Sequence, residues 1–283
     1  MPLDQMHEVE KSHKEMSFFE HVAELRSHIL RSVAAIGVFA AMAFYNKSFV
    51  FDTLLFGPRN PDFLTYRAMC GLSYKLGLGD KMCFTPVKFD ILTRQLGEIL
   101  MQHILISFWL GVICAFPYII WEVWKFIRPG LHKHEQSAIR GVVFVCSILF
   151  LMGVLFGYYV IAPFSINFLA GYTLDGAIVS PTLDSYVTYM TMFTIPTGVI
   201  FEMPIIAYFG AKIGVLGPQA LRNYRRHAVV AFLILAAIIT PPDVVSQFIV
   251  MVPLYILYEV SIVVVKRVKK KRDAMLDSTA SKE

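Results

Sequence analysis

Six long apolar stretches, at about 28–50, 98–121, 140–165, 186–211, 227–241 and 244–265, constrain this chain more than any other feature. A helix that crosses a bilayer needs about twenty predominantly apolar residues, and nearly charge-free stretches of that length have no comparable use in a soluble domain. Apolar residues make up 56% of the 283-residue chain and charged residues 17%, which excludes a disordered protein and an ordinary soluble one. The predicted fold class is therefore an all-α membrane protein of six transmembrane helices. The fifth stretch is short, and Pro241, Pro242 and Asp243 leave almost no connection before the sixth. These two are read as a tight hairpin of short helices, the fifth accommodated by bilayer thinning, by snorkelling flanks or by shelter inside the bundle.

An even number of spans puts both termini on one side, and lysine and arginine mark that side as cytoplasmic. Lys125, Arg128, Lys133 and Arg140 lie between the second and third stretches, and Lys212, Arg222, Arg225 and Arg226 between the fourth and fifth. The tail adds Lys266, Arg267, Lys269, Lys270, Lys271 and Arg272, whereas the segments 166–185 and 241–243 carry no basic residue. The long loop at about 51–97 holds Arg59, Arg67, Lys75, Lys81, Lys88 and Arg94 against this trend, but long loops weigh little in orientation. The expected organisation is a cytoplasmic segment 1–27, a transmembrane domain 28–265 with its outside loop at 51–97, and a basic cytoplasmic tail 266–283. Met1–Arg26 is polar and acidic, unlike a removable signal peptide. From Ser17 to Leu30 the residues Phe18, Phe19, Val22, Leu25 and Ile29 recur at helical spacing, which predicts an amphipathic lead-in at the cytoplasmic surface.

Glu202 is the only charged side chain between Tyr186 and Ala211, with Pro196 and Pro204 on either side. A charge at that depth costs about 2.5–3.5 kcal/mol on insertion scales and usually faces a protein interior or a wet cavity. The prolines predict a bent helix with unpaired carbonyls. A protonated Glu202 bonded between helices is the purely structural alternative. Gly153 and Gly157, and likewise Gly210 and Gly214, stand four apart and allow close helix approach, within the subunit or against another chain. Cys70 and Cys83 share the outside loop, where a disulfide and two free thiols are both open; Cys114 and Cys146 lie within spans. His132, His134 and Glu135 are too few and too closely spaced for a metal site, and no metal or cofactor is expected. No phosphate-binding glycine loop, nucleophile elbow or metalloprotease histidine pair occurs, so the chain is not read as an enzyme. No pair of interrupted helices recurs in the two halves, which counts against a carrier.

Three segments go beyond composition: Phe18–Arg26 (FFEHVAELR), Trp121–Glu135 (WEVWKFIRPGLHKHE) and Thr240–Gln247 (TPPDVVSQ). Phe201–Pro204 (FEMP) and Phe150–Pro163 (FLMGVLFGYYVIAP) add to them. Together they resemble the TatC family, the polytopic subunit of the twin-arginine protein translocase, in order and span count from about residue 17 to 266. His132 stands where that family often has Tyr. The resemblance implies a receptor and scaffold that binds Arg-Arg signal peptides of folded cargo and draws on the proton-motive force, in an oligomeric complex of the inner membrane. It implies single-span partners of the TatA and TatB type, contact with membrane lipids and no nucleic acid.

By this resemblance Glu24 and Glu135 are the signal-peptide carboxylates, and His21 and Arg26 match family positions that would orient Glu24. Glu20 and Glu122 are nearby acids that would tune the field. A planar guanidinium matches a carboxylate in bidentate, charge-assisted hydrogen bonds that an ammonium cannot reproduce. The alternative for both acids is a surface ion pair, Glu24 with Arg26 or Arg31 and Glu135 with Arg140, worth about 0–1 kcal/mol. Glu202, with Pro204, becomes a polar anchor for a partner helix on a concave face of the bundle, and Asp243 and Gln247 are further candidates at the hairpin turn, where Asp243 could instead cap the sixth helix. The rival reading from another class is a proton-coupled small-molecule carrier that titrates Glu202.

Overall fold

The structure, a computed structural model, describes residues 18–77, 79–83, 86–87, 89–127, 139–172, 179–240 and 244–280. Among them every long element is helical, and the sole β feature is an isolated bridge between Leu92 and Thr182. Helix α1 spans Phe18–Tyr45, α2 Leu64–Lys75, α3 Glu98–Ile127 and α4 Ile139–Phe156. A π turn at Gly157–Ile161 joins α4 to α5 (Ala162–Gly171). Then come α6 (Leu183–Ile200), α7 (Met203–Ile213), α8 (Pro218–Asn223), α9 (Arg225–Ile239) and α10 (Val244–Ala280).

Five segments of the described residues are long and apolar enough to cross a membrane: Val22–Tyr45, Glu98–Ile127, Gly141–Gly171, Leu183–Ile213 and Ser246–Lys270. Helix α9 is apolar but only 15 residues long, about 22 Å at 1.5 Å per residue. The expectation of a short sixth helix is wrong: α10 runs 37 residues without interruption. Lys and Arg are good helix formers, and nothing after Val265 breaks the hydrogen-bond ladder, so the basic tail prolongs the span as helix. Helix α1 runs without a break from Phe18 through the first apolar stretch, so the lead-in is continuous with the helix that follows.

Small residues set the packing. A methyl group added to Gly111 of α3 would lie 2.7 Å from the Ile36 carbonyl oxygen, so α1 and α3 approach backbone to side. Gly153 of α4 meets Gly198 and Thr197 of α6, and Gly157 meets Phe193 and Thr194. This four-residue spacing therefore serves contact inside the subunit. Gly210 and Gly214 do otherwise: Gly214 ends α7 in the left-handed region at φ 91°, and Gly210 receives the Leu216 side chain as the chain turns back. Phe193, Val187, Leu254 and Ala236 are fully buried at the meeting of α6, α9 and α10.

The loop end of the bundle is closed by phenols. Tyr158 and Tyr186 donate to the Leu54 and Leu55 carbonyls at 2.7 and 3.0 Å, and Tyr66 donates to Pro58 at 2.9 Å. Cys70 at α2 and Cys83 are joined by a disulfide. Glu98 accepts from the Arg94, Gln95 and Asp184 amides at 2.6, 3.2 and 3.1 Å, and Gln102 donates to Asp184 at 2.7 Å. That partly buried knot ties the first turns of α3 and α6 together.

Candidate functional site

The end of the bundle opposite the loop carries the first candidate group. Glu24 and His28 stand one turn apart on the same face of α1, and that face leans on the last turns of α3. His28 Nδ1 and the Glu122 carboxylate form a buried hydrogen bond across the two helices. The side chains of His28 and Glu122 are 6% and 5% exposed, whereas that of Glu24 is 35% exposed. His28 Nε2 lies 3.9 Å from Glu24 Oε1, and Arg31 Nη1 lies 3.8 Å from Glu122 Oε2. The Tyr118 hydroxyl also bonds to Glu122, and the ring edge of Phe126 closes over His28 at 6.0 Å between centroids. Buried charges persist only when paired and hydrogen-bonded, and Glu122 has such partners. The outcome is a half-exposed carboxylate at the rim, backed by a buried imidazole and a second carboxylate.

Among the other residues expected here, Arg26 is exposed and makes no ion pair with Glu24 in this structure. Glu135 and the side chains of Glu20 and His21 lie outside the described residues, as does Asp243. The expected surface pair of Glu24 with Arg31 is replaced by Arg31 with Glu122. His28 is the buried member of this group that sequence reasoning passed over. Its signal was its position four residues after Glu24, on the same helix face.

Glu202 sits at a break in the fourth span, between α6 and α7, where Phe201 and Glu202 amides bond back to Thr197 and Val199 at 3.1 Å. Pro196 inside α6 and Pro204 at the start of α7 remove two helical donors, which is why the helix breaks here. Thr191, Thr194 and Thr197 each bond a carbonyl one turn back, at 3.0, 2.8 and 2.7 Å, a habit that bends helices. Glu202 is partly exposed, with the Cys146 thiol and the Phe150 backbone as neighbours and with Oε1 buried and unpartnered. Pro204 is buried in the packing of α7. Gln247 donates to the Leu233 carbonyl at 3.0 Å and fastens α10 to α9, so its side chain is engaged within the subunit. Glu259 pairs with Arg225 at 2.7 Å and accepts from Tyr255 at 3.1 Å.

An apolar groove of about 220 Å³ runs between α3, α4 and α6, lined by Leu110, Ile113, Leu151, Leu155, Met190 and Ile195 among others. Glu202 does not line it. Among the described residues no group of three or more His, Cys, Asp or Glu could hold a metal ion.

Comparison with known proteins yields one answer. The profile of the family described as "Sec-independent protein translocase protein (TatC)" matches residues 20–253. The chain is 38% identical over 266 residues to the Sec-independent protein translocase protein TatC of Blattabacterium sp. subsp. Periplaneta americana, covering 91% of this chain and 98% of that one. It is 33% identical to the protein of the same name from Carboxydothermus hydrogenoformans, with 91% and 96% covered. A crystal structure of the twin arginine translocase receptor TatC superposes with a TM-score of 0.63 at 30% identity, covering 88% of this chain and 99% of that one. A second, in DDM, gives 0.66 at 31%, with 86% and 98% covered.

Proposed function

The chain belongs to the TatC family, and from that premise we propose that its rim carboxylates receive the Arg-Arg motif of signal peptides while Glu202 anchors a single-span partner. It is a non-catalytic receptor and scaffold subunit of the twin-arginine, Sec-independent translocase, and a multi-pass protein of the inner membrane. In the proposed topology the short α9 is a span like the five longer ones, and both termini lie in the cytoplasm. The cargo is folded, its passage is driven by the proton-motive force, and the companions are of the TatA and TatB type.

The observation that carries the rim reading is the half-exposed Glu24 carboxylate near the start of α1, 3.9 Å from the imidazole of the buried His28–Glu122 pair. An exposed carboxylate with a fixed rear face is an acceptor for a guanidinium fork. Glu135 belongs in sequence to the connection between the end of α3 at Ile127 and the start of α4 at Ile139. The last turns of α3 pack on the Glu24 face of α1, which supports a joint role for Glu24 and Glu135. Carboxylates there would grip the peptide from the aqueous side, and no covalent step is needed.

Photo-crosslinking of an Arg-Arg signal peptide to the full complex tests this reading. Glu24→Ala and Glu135→Ala are expected to abolish the crosslink and to leave the low background of a Lys-Lys peptide unchanged. Crosslinking indifferent to both substitutions refutes it.

A further inference from the structure

His28 and Glu122 stand behind the rim carboxylate without contacting the peptide, and they are the most buried titratable pair beside it. We infer that His28 is a positioning residue for Glu24: pinned from behind by Glu122, it fixes the carboxylate plane that meets the incoming guanidinium. This rests on Glu24 being a signal-peptide acceptor.

The geometry has three parts. First, the imidazole spans two helices, with Nδ1 hydrogen-bonded to Glu122 of α3 and Nε2 within ion-pair range of Glu24 on its own helix at 3.9 Å, longer than a hydrogen bond. Second, the ring cannot turn away freely, because it is 6% exposed and covered by Phe126. Third, Glu122 is itself held, by Tyr118 and by Arg31 at 3.8 Å, so the anchor is fixed in turn. The charged and titratable groups around His28 are thus Glu24 and Arg31 from α1 and Glu122 and Tyr118 from α3.

Orientation matters for this ligand in particular. A guanidinium fork needs both carboxylate oxygens in its plane, whereas an ammonium is a point charge indifferent to that plane. A Glu24 side chain free to rotate would still attract positive charge. It would lose the preference for arginine over lysine. His28 therefore acts on discrimination, which a merely structural contact between α1 and α3 would leave alone.

The test measures the ratio of Arg-Arg to Lys-Lys peptide crosslinking, normalised to folded protein, in the intact complex. His28→Ala is expected to lower that ratio about two- to fivefold, the scale of a partly exposed ion pair. His28→Gln, whose amide can still donate to a carboxylate, should recover part of it. Combining His28→Ala with Glu122→Ala should cost no more than Glu122→Ala alone, since both break one relay. Should His28→Ala fail to accumulate, Glu122→Gln decides, because it keeps the volume and removes the charge: a lowered ratio supports the relay. An unchanged ratio in these variants, while Glu24→Ala abolishes the crosslink, overturns the role of His28 alone. A crosslink that survives Glu24→Ala overturns the rim reading beneath it.

Discussion

Gly153 and Gly157 offer the sharpest test of how Glu202 is held. A methyl group at Gly153 would stand 2.8 Å from Gly198 Cα, Thr197 O and Phe201 Cγ. At Gly157 it would stand 2.8 Å from Thr194 Cα and would press on the Phe193 carbonyl. Carbon atoms rest about 3.5–4.0 Å apart, so each methyl overlaps by roughly 0.7 Å or more. Apart from Phe201 the obstacles are backbone, and the two helices must separate. Overpacking of this kind costs about 1–3 kcal/mol, offset by about 0.5–1 kcal/mol that a helical Gly→Ala exchange returns. The net expectation for Gly157→Ala is a loss of about 1–2 kcal/mol, a few degrees in melting midpoint. Gly37 of α1 and Gly141 of α4 have nothing within 4 Å of an added methyl, so Ala there should leave stability unchanged or raise it slightly. The assay is the fraction of protein still monodisperse after heating in detergent. Gly157→Ala melting at or above Gly37→Ala would show that α4 and α6 are not in contact as described.

Two further outcomes follow from single side chains. Glu202→Gln keeps the hydrogen-bonding capacity and removes titration, so an anchor predicts full export with Gln and loss with Ala; export that fails equally in both would favour a proton carrier. Burial pushes the Tyr66 phenol from 10.0 up to about 12, so its share of the stability of the loop end is intact below about pH 10 and lost as the pH rises through about 12. Tyr66→Phe should cost about 1 kcal/mol at neutral pH by orphaning the Pro58 carbonyl, and should flatten that alkaline loss, read by thermal melting against pH; an identical alkaline profile in both proteins would refute the assignment.

Span positions were legible because apolar length is a local property: the stretches at 98–121 and 140–165 coincide with helices Glu98–Ile127 and Ile139–Gly171, including the π turn. Glu202 was legible for the same reason, as one charge in an apolar run. Its setting was partly so, since Pro196 and Pro204 announced the break between α6 and α7. The His28–Glu122 pair was not, because Glu122 reaches His28 across 94 residues of sequence and no periodicity records such a pairing. The knot of Glu98, Gln102 and Asp184 was missed on similar grounds: Glu98 reads as an ordinary helix-start acid until α6 is brought beside it. Gly210 and Gly214 show the converse error. Identical spacing marks a packing face on α4 and a chain reversal after α7, and the difference lies in φ, which spacing does not encode.

The continuity of α10 has a mechanical corollary. Thirty-seven residues give a rod of about 55 Å, nearly twice the roughly 30 Å of hydrocarbon it crosses. A span of about 30 Å starting at Val244 would end near residue 264, so Lys266, Arg267, Lys269 and Lys270 would follow about 3–9 Å beyond it, at the depth of lipid headgroups.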